Sequence, residues 1–326
     1  MVFERGLISG SEKVLLNRYS AMGDVLRVMP YAKALKDAYP NIHLTWFVCN
    51  PWDELVRCQP YVDEVIVWEQ SARNLNFIKA ISEIRKRKFD ILLCFQGTDR
   101  GALLSLLSGI PVRVGAHRWA DFAYTHNAED VGKFIGLDVK QFERPWIYVT
   151  KEAEEKAKGI REKVNGPLLF SIVGASKAVK RWPAGRWIEL SDLLGHLGWS
   201  MVLVGHGEEE ENLAWEIVRS SKGLKVINMV GKLNLVETAA LAMECDAAVG
   251  GDTGFLHMAK LIGLPAVGLF GPTLPGNVGL DDIGVNIVVS CDDAGCERWG
   301  CPNQDCLGSI DAKQVIDSLK ELLRDF

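Results

Sequence analysis

The 326-residue chain lacks any uninterrupted apolar run near the ~20 residues a membrane-spanning helix requires. Its opening stretch, MVFERGLISGSEK, has no apolar segment of the kind a secretory signal carries, so a cytoplasmic chain is predicted. Net positive charge is also missing. The formal charge is −5, which argues against general nucleic-acid binding. No G-x-G-x-x-G follows a strand with an acidic residue ~20 positions on, and Gly205-His206-Gly207 is only a fragment of one. A P-loop signature is absent too. A second copy of Asp252-Thr253-Gly254 is lacking, which rules out the paired carboxylates of an aspartic protease.

What is present is a repeated alternation of short apolar runs and amphipathic stretches. Strands are expected at 14–17, 44–49, 64–68, 91–95 and 113–115. After residues 126–150, which lose clear periodicity, they resume at 168–173, 201–204, 225–228, 247–250, 266–270 and 286–289. Helices fall between them. One starts at Val25 with Val28, Met29, Ala32 and Leu35 on one face, and the last covers 311–323. This pattern predicts an α/β chain of two doubly wound, Rossmann-like domains, 1–150 and 151–326, with strand carboxyl ends facing a cleft. The last helix is expected to pack back on the first domain. Residues 1–150 hold 19 basic and 17 acidic residues, and the remainder 18 and 25. The first half is therefore the better host for an anionic partner. The run Arg85-Lys86-Arg87-Lys88 reads as a solvated helix end, or as a contact for anionic lipid headgroups.

Three loops can carry chemistry. In Ser20-Ala21-Met22-Gly23-Asp24, Asp24 can cap the following helix or serve as a general base at a strand's carboxyl edge. In the loop after Gly174, Lys177, Lys180 and Arg181 can stay solvated or neutralise a phosphate. Gly251-Asp252-Thr253-Gly254 is a tight turn opening a helix, with Asp252 or Thr253 as its cap. Such a helix N-terminus attracts anions. His257, one turn on, is either packed or a ligand contact.

Together VLLNRYSAMGDVLRVMPYAKALKDAYP, PYVDEVIVW, GASKAVKRWPAGRWIEL and DAAVGGDTGFLHMAKLIGLPAVGLFGPT resemble the bacterial lipopolysaccharide heptosyltransferases, glycosyltransferase family 9. The resemblance covers nearly the whole chain. It implies a GT-B fold, ADP-heptose as donor, a lipid A–inner core saccharide as acceptor, and inversion with no cofactor or metal required for catalysis. It implies Asp24 as catalytic base. On the donor side it implies Lys180, Thr253, Gly254 and the 228–232 stretch with Asn228, Met229 and Gly231, and Asp252 and His257 are further donor-side candidates. Ser20, Met22, Gly23, Arg27 and Arg118 are the acceptor-side candidates. Ala21 stands where relatives often have a second serine and Tyr19 is bulkier than usual, which leaves the acceptor open. A lipid-borne acceptor would put the protein in peripheral contact with the inner face of the cytoplasmic membrane. The rivals are a family-9 transferase with another nucleotide-sugar or acceptor, and a catalytically silent nucleotide-sugar binding protein.

Eight cysteines are present. Cys49, Cys58, Cys94 and Cys245 lie in apolar runs and read as buried thiols. Cys291, Cys296, Cys301 and Cys306 are evenly spaced, four residues between each pair. They are candidates for a structural Zn or Fe site, with unbridged thiols or an adventitious disulfide as alternatives.

Overall fold

A computed structural model of the chain describes residues 7–69, 75–137, 139, 144–222, 225–276, 279–291, 294–297 and 306–323. The chain divides into two compact units, Met1–Tyr148 and Val149–Phe326. The first runs β1 (Lys13–Asn17), α1 (Met22–Ala38), β2 (His43–Cys49), α2 (Asp53–Arg57), β3 (Glu64–Trp68), α3 (Leu75–Arg87), β4 (Ile91–Cys94), α4 (Asp99–Leu107), β5 (Val112–Gly115), β6 (His126–Asn127) and α5 (Val131–Phe134). The second runs α6 (Lys151–Arg161), β7 (Leu168–Ile172), α7 (Ala184–His196), β8 (Ser200–Val204), α8 (Glu208–Ser220), β9 (Val226–Asn228), α9 (Leu235–Met243), β10 (Ala247–Gly251), α10 (Gly254–Ile262), β11 (Ala266–Phe270), β12 (Gly284–Val288) and α11 (Ala312–Leu322).

Each unit holds one six-stranded sheet, and every strand pairing in both is parallel. Parallel strands must be covered on both faces, and their sequences show it: β7, β8, β10 and β11 are buried along their whole lengths. The strand orders are β3-β2-β1-β4-β5-β6 and β12-β11-β10-β7-β8-β9. Counted from its own first strand, the second sheet repeats the first, and both show the doubly wound order 3-2-1-4-5-6. In that order the winding reverses between the first and fourth strands, and ligands bind outside the strand carboxyl ends there. The reversal lies between β1 and β4 in the first unit and between β7 and β10 in the second.

Two expectations are corrected. Helix α1 begins at Met22, three residues before the expected Val25, so Pro30 lies in its interior. The sixth strand of the first sheet is the two-residue β6, too short to leave a periodic signal. Helix α11 packs on α7, β11 and β12. Val315, Ile316 and Leu319 place its apolar face in the second unit's core, beside Trp182 and Trp187. Trp182 donates its indole N–H to the Ile310 carbonyl at 3.0 Å, which ties the segment before α11 to that core.

Candidate functional site: two crevices at the winding reversals

In the second unit the β7–β10 crevice is lined by the loop after β7 and the turn after β10. Lys180 ends a short 3-10 turn, Ala178–Lys180, and its Nζ lies 2.6 Å from Asp252 Oδ2. Gly251 makes this approach feasible, since a Cβ there would stand 2.4 Å from the Lys180 carbonyl oxygen. Thr273 donates its hydroxyl to Asp252 Oδ2 at 2.8 Å, and His257 Nε2 stands 3.7 Å from Oδ1. The Asp252 side chain is 11% exposed. Burial alone would raise its carboxyl, but the Lys180 bond and charge, the Thr273 bond and His257 outweigh it and hold it below the usual range. Thr253 occupies the N-cap of α10, yet its side chain makes no cap bond, and its buried Oγ1 has no partner among the described residues. A buried hydroxyl without a partner, beside uncapped first-turn N–H groups and an ammonium, is a set of donors suited to an anion.

In the first unit the β1–β4 crevice holds Asp24 in the first turn of α1. Its expected role as a helix cap is not what the structure shows, because Ala21 is the N-cap residue and provides no side-chain bond. The carboxylate is instead ion-paired. Oδ2 meets Arg18 Nη2, and Oδ1 lies 3.7 Å from Arg27 Nη1. Arg18 is itself fixed, since its Nη1 donates to the Phe95 carbonyl at 2.5 Å and its carbonyl accepts from the Trp46 indole at 3.1 Å. Oδ2 is thus held from the sheet side while Oδ1 faces the looser Arg27. The Asp24 side chain is 38% exposed.

Ligands of doubly wound sheets bind at such crevices. The family model described as Glycosyltransferase family 9 (heptosyltransferase) matches residues 77–304. The chain belongs to glycosyltransferase family 9. Lipopolysaccharide heptosyltransferase 1 of Pseudomonas aeruginosa is 27% identical to it over 297 residues, 82% of this chain and 81% of that protein. The crystal structure of a family 9 glycosyl transferase from Veillonella parvula matches with a TM-score of 0.85 at 22% identity, covering 97% of this chain and 98% of that one. The Escherichia coli heptosyltransferase WaaC with ADP matches with a TM-score of 0.75 at 19% identity, covering 95% and 100%. The fold is GT-B, as the resemblance implied.

The remaining sequence candidates of this family 9 chain fall as follows. Asn228 ends β9 on the β7 side of the second sheet. Its Oδ1 accepts from the Val230 N–H at 2.9 Å, so part of the side chain holds its own turn, while the buried Nδ2 has no partner among the described residues. Met229 donates its N–H to Leu203, and Gly231 takes a positive φ of 69° that closes the turn. Ser20, Met22 and Gly23 lie beside Asp24, each partly buried. Arg27, expected as a ligand for an acceptor anion, faces Asp24. Arg118 is exposed, with its guanidinium 4.8 Å from the Trp119 ring centre. Arg181, read as a second phosphate cation, is held by Glu209 at 2.6 Å and lies 3.6 Å from Glu210. Among the described residues no three of His, Cys, Asp and Glu gather into a metal site. Cys291 is exposed, Cys296 and Cys306 are half-buried, and Cys301 lies outside the described residues.

Two residues were missed from sequence. Arg18 carries no local pattern, since its partner Phe95 is 77 positions away. Glu210 sits in the acidic run Glu208–Glu211, which looks solvated, yet it is buried. Its carboxylate accepts from the His206 N–H at 2.7 Å and fills the space a side chain at Gly174 or Gly205 would need. It therefore braces the carboxyl-end loops of β7 and β8.

Proposed function

We propose that the protein is an inverting glycosyltransferase that moves heptose from ADP-heptose to the lipid A–Kdo or heptosyl inner core of lipopolysaccharide, at the cytoplasmic face of the inner membrane. The observation that carries this reading is the anion cradle of the second unit: Lys180 held by Asp252 beside the uncapped N-terminus of α10 and the unpartnered Thr253 hydroxyl. Names of family members supply the heptose and the lipopolysaccharide, and the chemistry below supplies the roles.

Asp24 takes the proton of an acceptor hydroxyl through Oδ1, the oxygen less tightly held. The acceptor oxygen forms its bond to the anomeric carbon on the face opposite the diphosphate. The bond from that carbon to the diphosphate oxygen breaks, and its electron pair leaves with ADP. Lys180 and the first-turn N–H groups of α10 meet the charge that develops there. No cofactor takes part in this sequence. A silent binding protein has no use for a carboxylate so held in the first unit. The test is transfer from ADP-heptose to a purified lipid A–core acceptor, followed by mass spectrometry of the product. A gain of one heptose is expected, and absence of transfer with ADP-heptose still bound would move the protein to the silent class.

A further inference from the structure

The large exposed apolar side chains of the first unit concentrate around α4. Leu103, Leu106 and Leu107 stand at i, i+3 and i+4 on its outer face, each more than 40% exposed. The inner face, with Ala102, Leu104 and Ser105, is buried. The 3-10 turn Asp121–Ala123 packs on α4, and Ala123 shares the core of Ala102 and Leu104. Phe122, in the same turn, is 71% exposed, and Trp119 just before it is 75% exposed. Helix α3 contributes Ile81 and Ile84 to the same core and so covers the same sheet face as α4, and its Ile78 points outward. Single exposed apolar residues are ordinary, but a helix face and a neighbouring turn exposed together mark a contact surface.

The rim of this face is basic. Arg118 lies over the Trp119 ring. Arg85 Nε comes within 3.8 Å of where a Cβ on Gly109 would stand, so the end of α3 borders the end of α4. Lys86 and Lys88 follow, both exposed. Residues 75–122 hold eight basic and four acidic side chains in a chain of net charge −5. Of the four acids, Glu83 is bonded to Lys86 and Arg87, and Asp90 accepts from the Lys13 N–H. Asp99 and Asp121 remain exposed, Asp99 at the opposite end of α4 from Arg85. No described helix is long and apolar enough to cross a membrane, so attachment through this face would be interfacial.

We propose that the outer face of α4, with the Trp119–Phe122 segment and the basic end of α3, docks on an anionic lipid bilayer. Leucine and aromatic side chains enter the headgroup boundary, where aromatic rings favour the interface, while arginine and lysine meet lipid phosphates. The proposal deepens the reading of a lipid-borne acceptor, and it stands or falls by lipid binding alone.

The test is co-sedimentation of the full chain with phosphatidylglycerol-containing vesicles and with vesicles of phosphatidylcholine alone, free of any saccharide. Two variants accompany the wild type: Leu103→Gln/Leu106→Gln/Phe122→Ser, and Arg85→Glu/Lys86→Glu. All five positions are solvent-exposed, and circular dichroism checks the fold. The wild type is expected to sediment with the anionic vesicles and weakly with the neutral ones. The apolar variant should lose roughly tenfold or more in affinity at any salt concentration. Charge reversal should cost at least about fivefold per residue at low salt, fading as salt rises. Sugar transfer to a deacylated, water-soluble acceptor should be unchanged in both. A wild type that ignores anionic vesicles, or an apolar variant that binds them equally, overturns the proposal. So does a dimer in sedimentation velocity that the apolar variant dissolves without losing lipid binding, since that assigns the face to a second copy. Vesicle binding without transfer from any sugar nucleotide would keep the surface and sink the glycosyltransferase reading.

Discussion

Replacing Asp24 with Asn separates chemistry from structure in the first crevice. Asn keeps the shape and one oxygen but cannot take a proton. The structural cost is small because α1 is capped at Ala21 and draws no cap bond from Asp24. The ion pairs to Arg18 and Arg27 face solvent in part, so their loss costs about 0–1 kcal/mol. Losing a first-turn acid near the helix dipole adds roughly 0.3–1 kcal/mol. At about 2–4 °C per kcal/mol for a chain of this size, melting should fall by a few degrees. If Asp24 is the base, turnover should fall about 10²–10⁴-fold, a rise of about 3–5 kcal/mol in the barrier. The second effect exceeds the first several-fold, so the two are separable. The assay is transfer from ADP-heptose to a lipid A–core acceptor, with ADP affinity and melting temperature measured on the same preparation. Turnover near wild type would refute the base assignment and leave Asp24 as an anchor for Arg18. Loss of ADP affinity would refute the division of labour between the units.

Lys180→Ala should abolish most of the thermal stabilisation by ADP, and it should also lower melting, because it leaves the Asp252 carboxylate without its ammonium. Adding Asp252→Asn should restore melting but not the ADP response, and equal ADP stabilisation in Lys180→Ala would remove Lys180 from the site. The Asp252 carboxyl is held low in the folded chain, so its contribution to stability is fully present above the unfolded value of ~3.9 and is lost as pH falls through the folded value. Asp252→Asn should therefore show a shallower fall in melting temperature below about pH 4 than the wild type, and parallel curves would contradict the pairing. If Cys291, Cys296, Cys301 and Cys306 hold a metal, elemental analysis of protein purified without a metal-affinity tag should find close to one Zn or Fe per chain, and a content near zero would leave them as thiols.

The architecture was readable because the strands are short, mostly apolar runs such as Leu168–Ile172, alternating with amphipathic helices. The turn that opens α10 was readable for a local reason: Gly251, Asp252, Thr253 and Gly254 are contiguous, so turn, cap position and helix start appear together in sequence. The first crevice was harder. Helix α1 starts at Met22 behind an alanine, with no polar cap to announce it, and Gly23-Asp24 reads as a turn. Arg18 and Glu210 gain their roles from partners distant in sequence or from burial inside an acidic run, neither of which a local pattern encodes. The apolar stripe of α11 announces that the helix packs, but not on what.

Two compact units, each with its own sheet wound in the same order, imply two cooperative blocks in unfolding. Trp68, Phe47 and Tyr19 anchor one, and Trp182 and Trp187 anchor the other. Heat should then melt the chain in two steps, not one. A nucleotide held by the second block stabilises only what it touches. Calorimetry with and without ADP should show one transition displaced and its neighbour nearly still. The displaced transition should be the one reported by burial of Trp182 and Trp187. Were the first block to move equally, the two halves would be thermodynamically coupled, and nucleotide binding would be felt at Asp24 before any acceptor arrived.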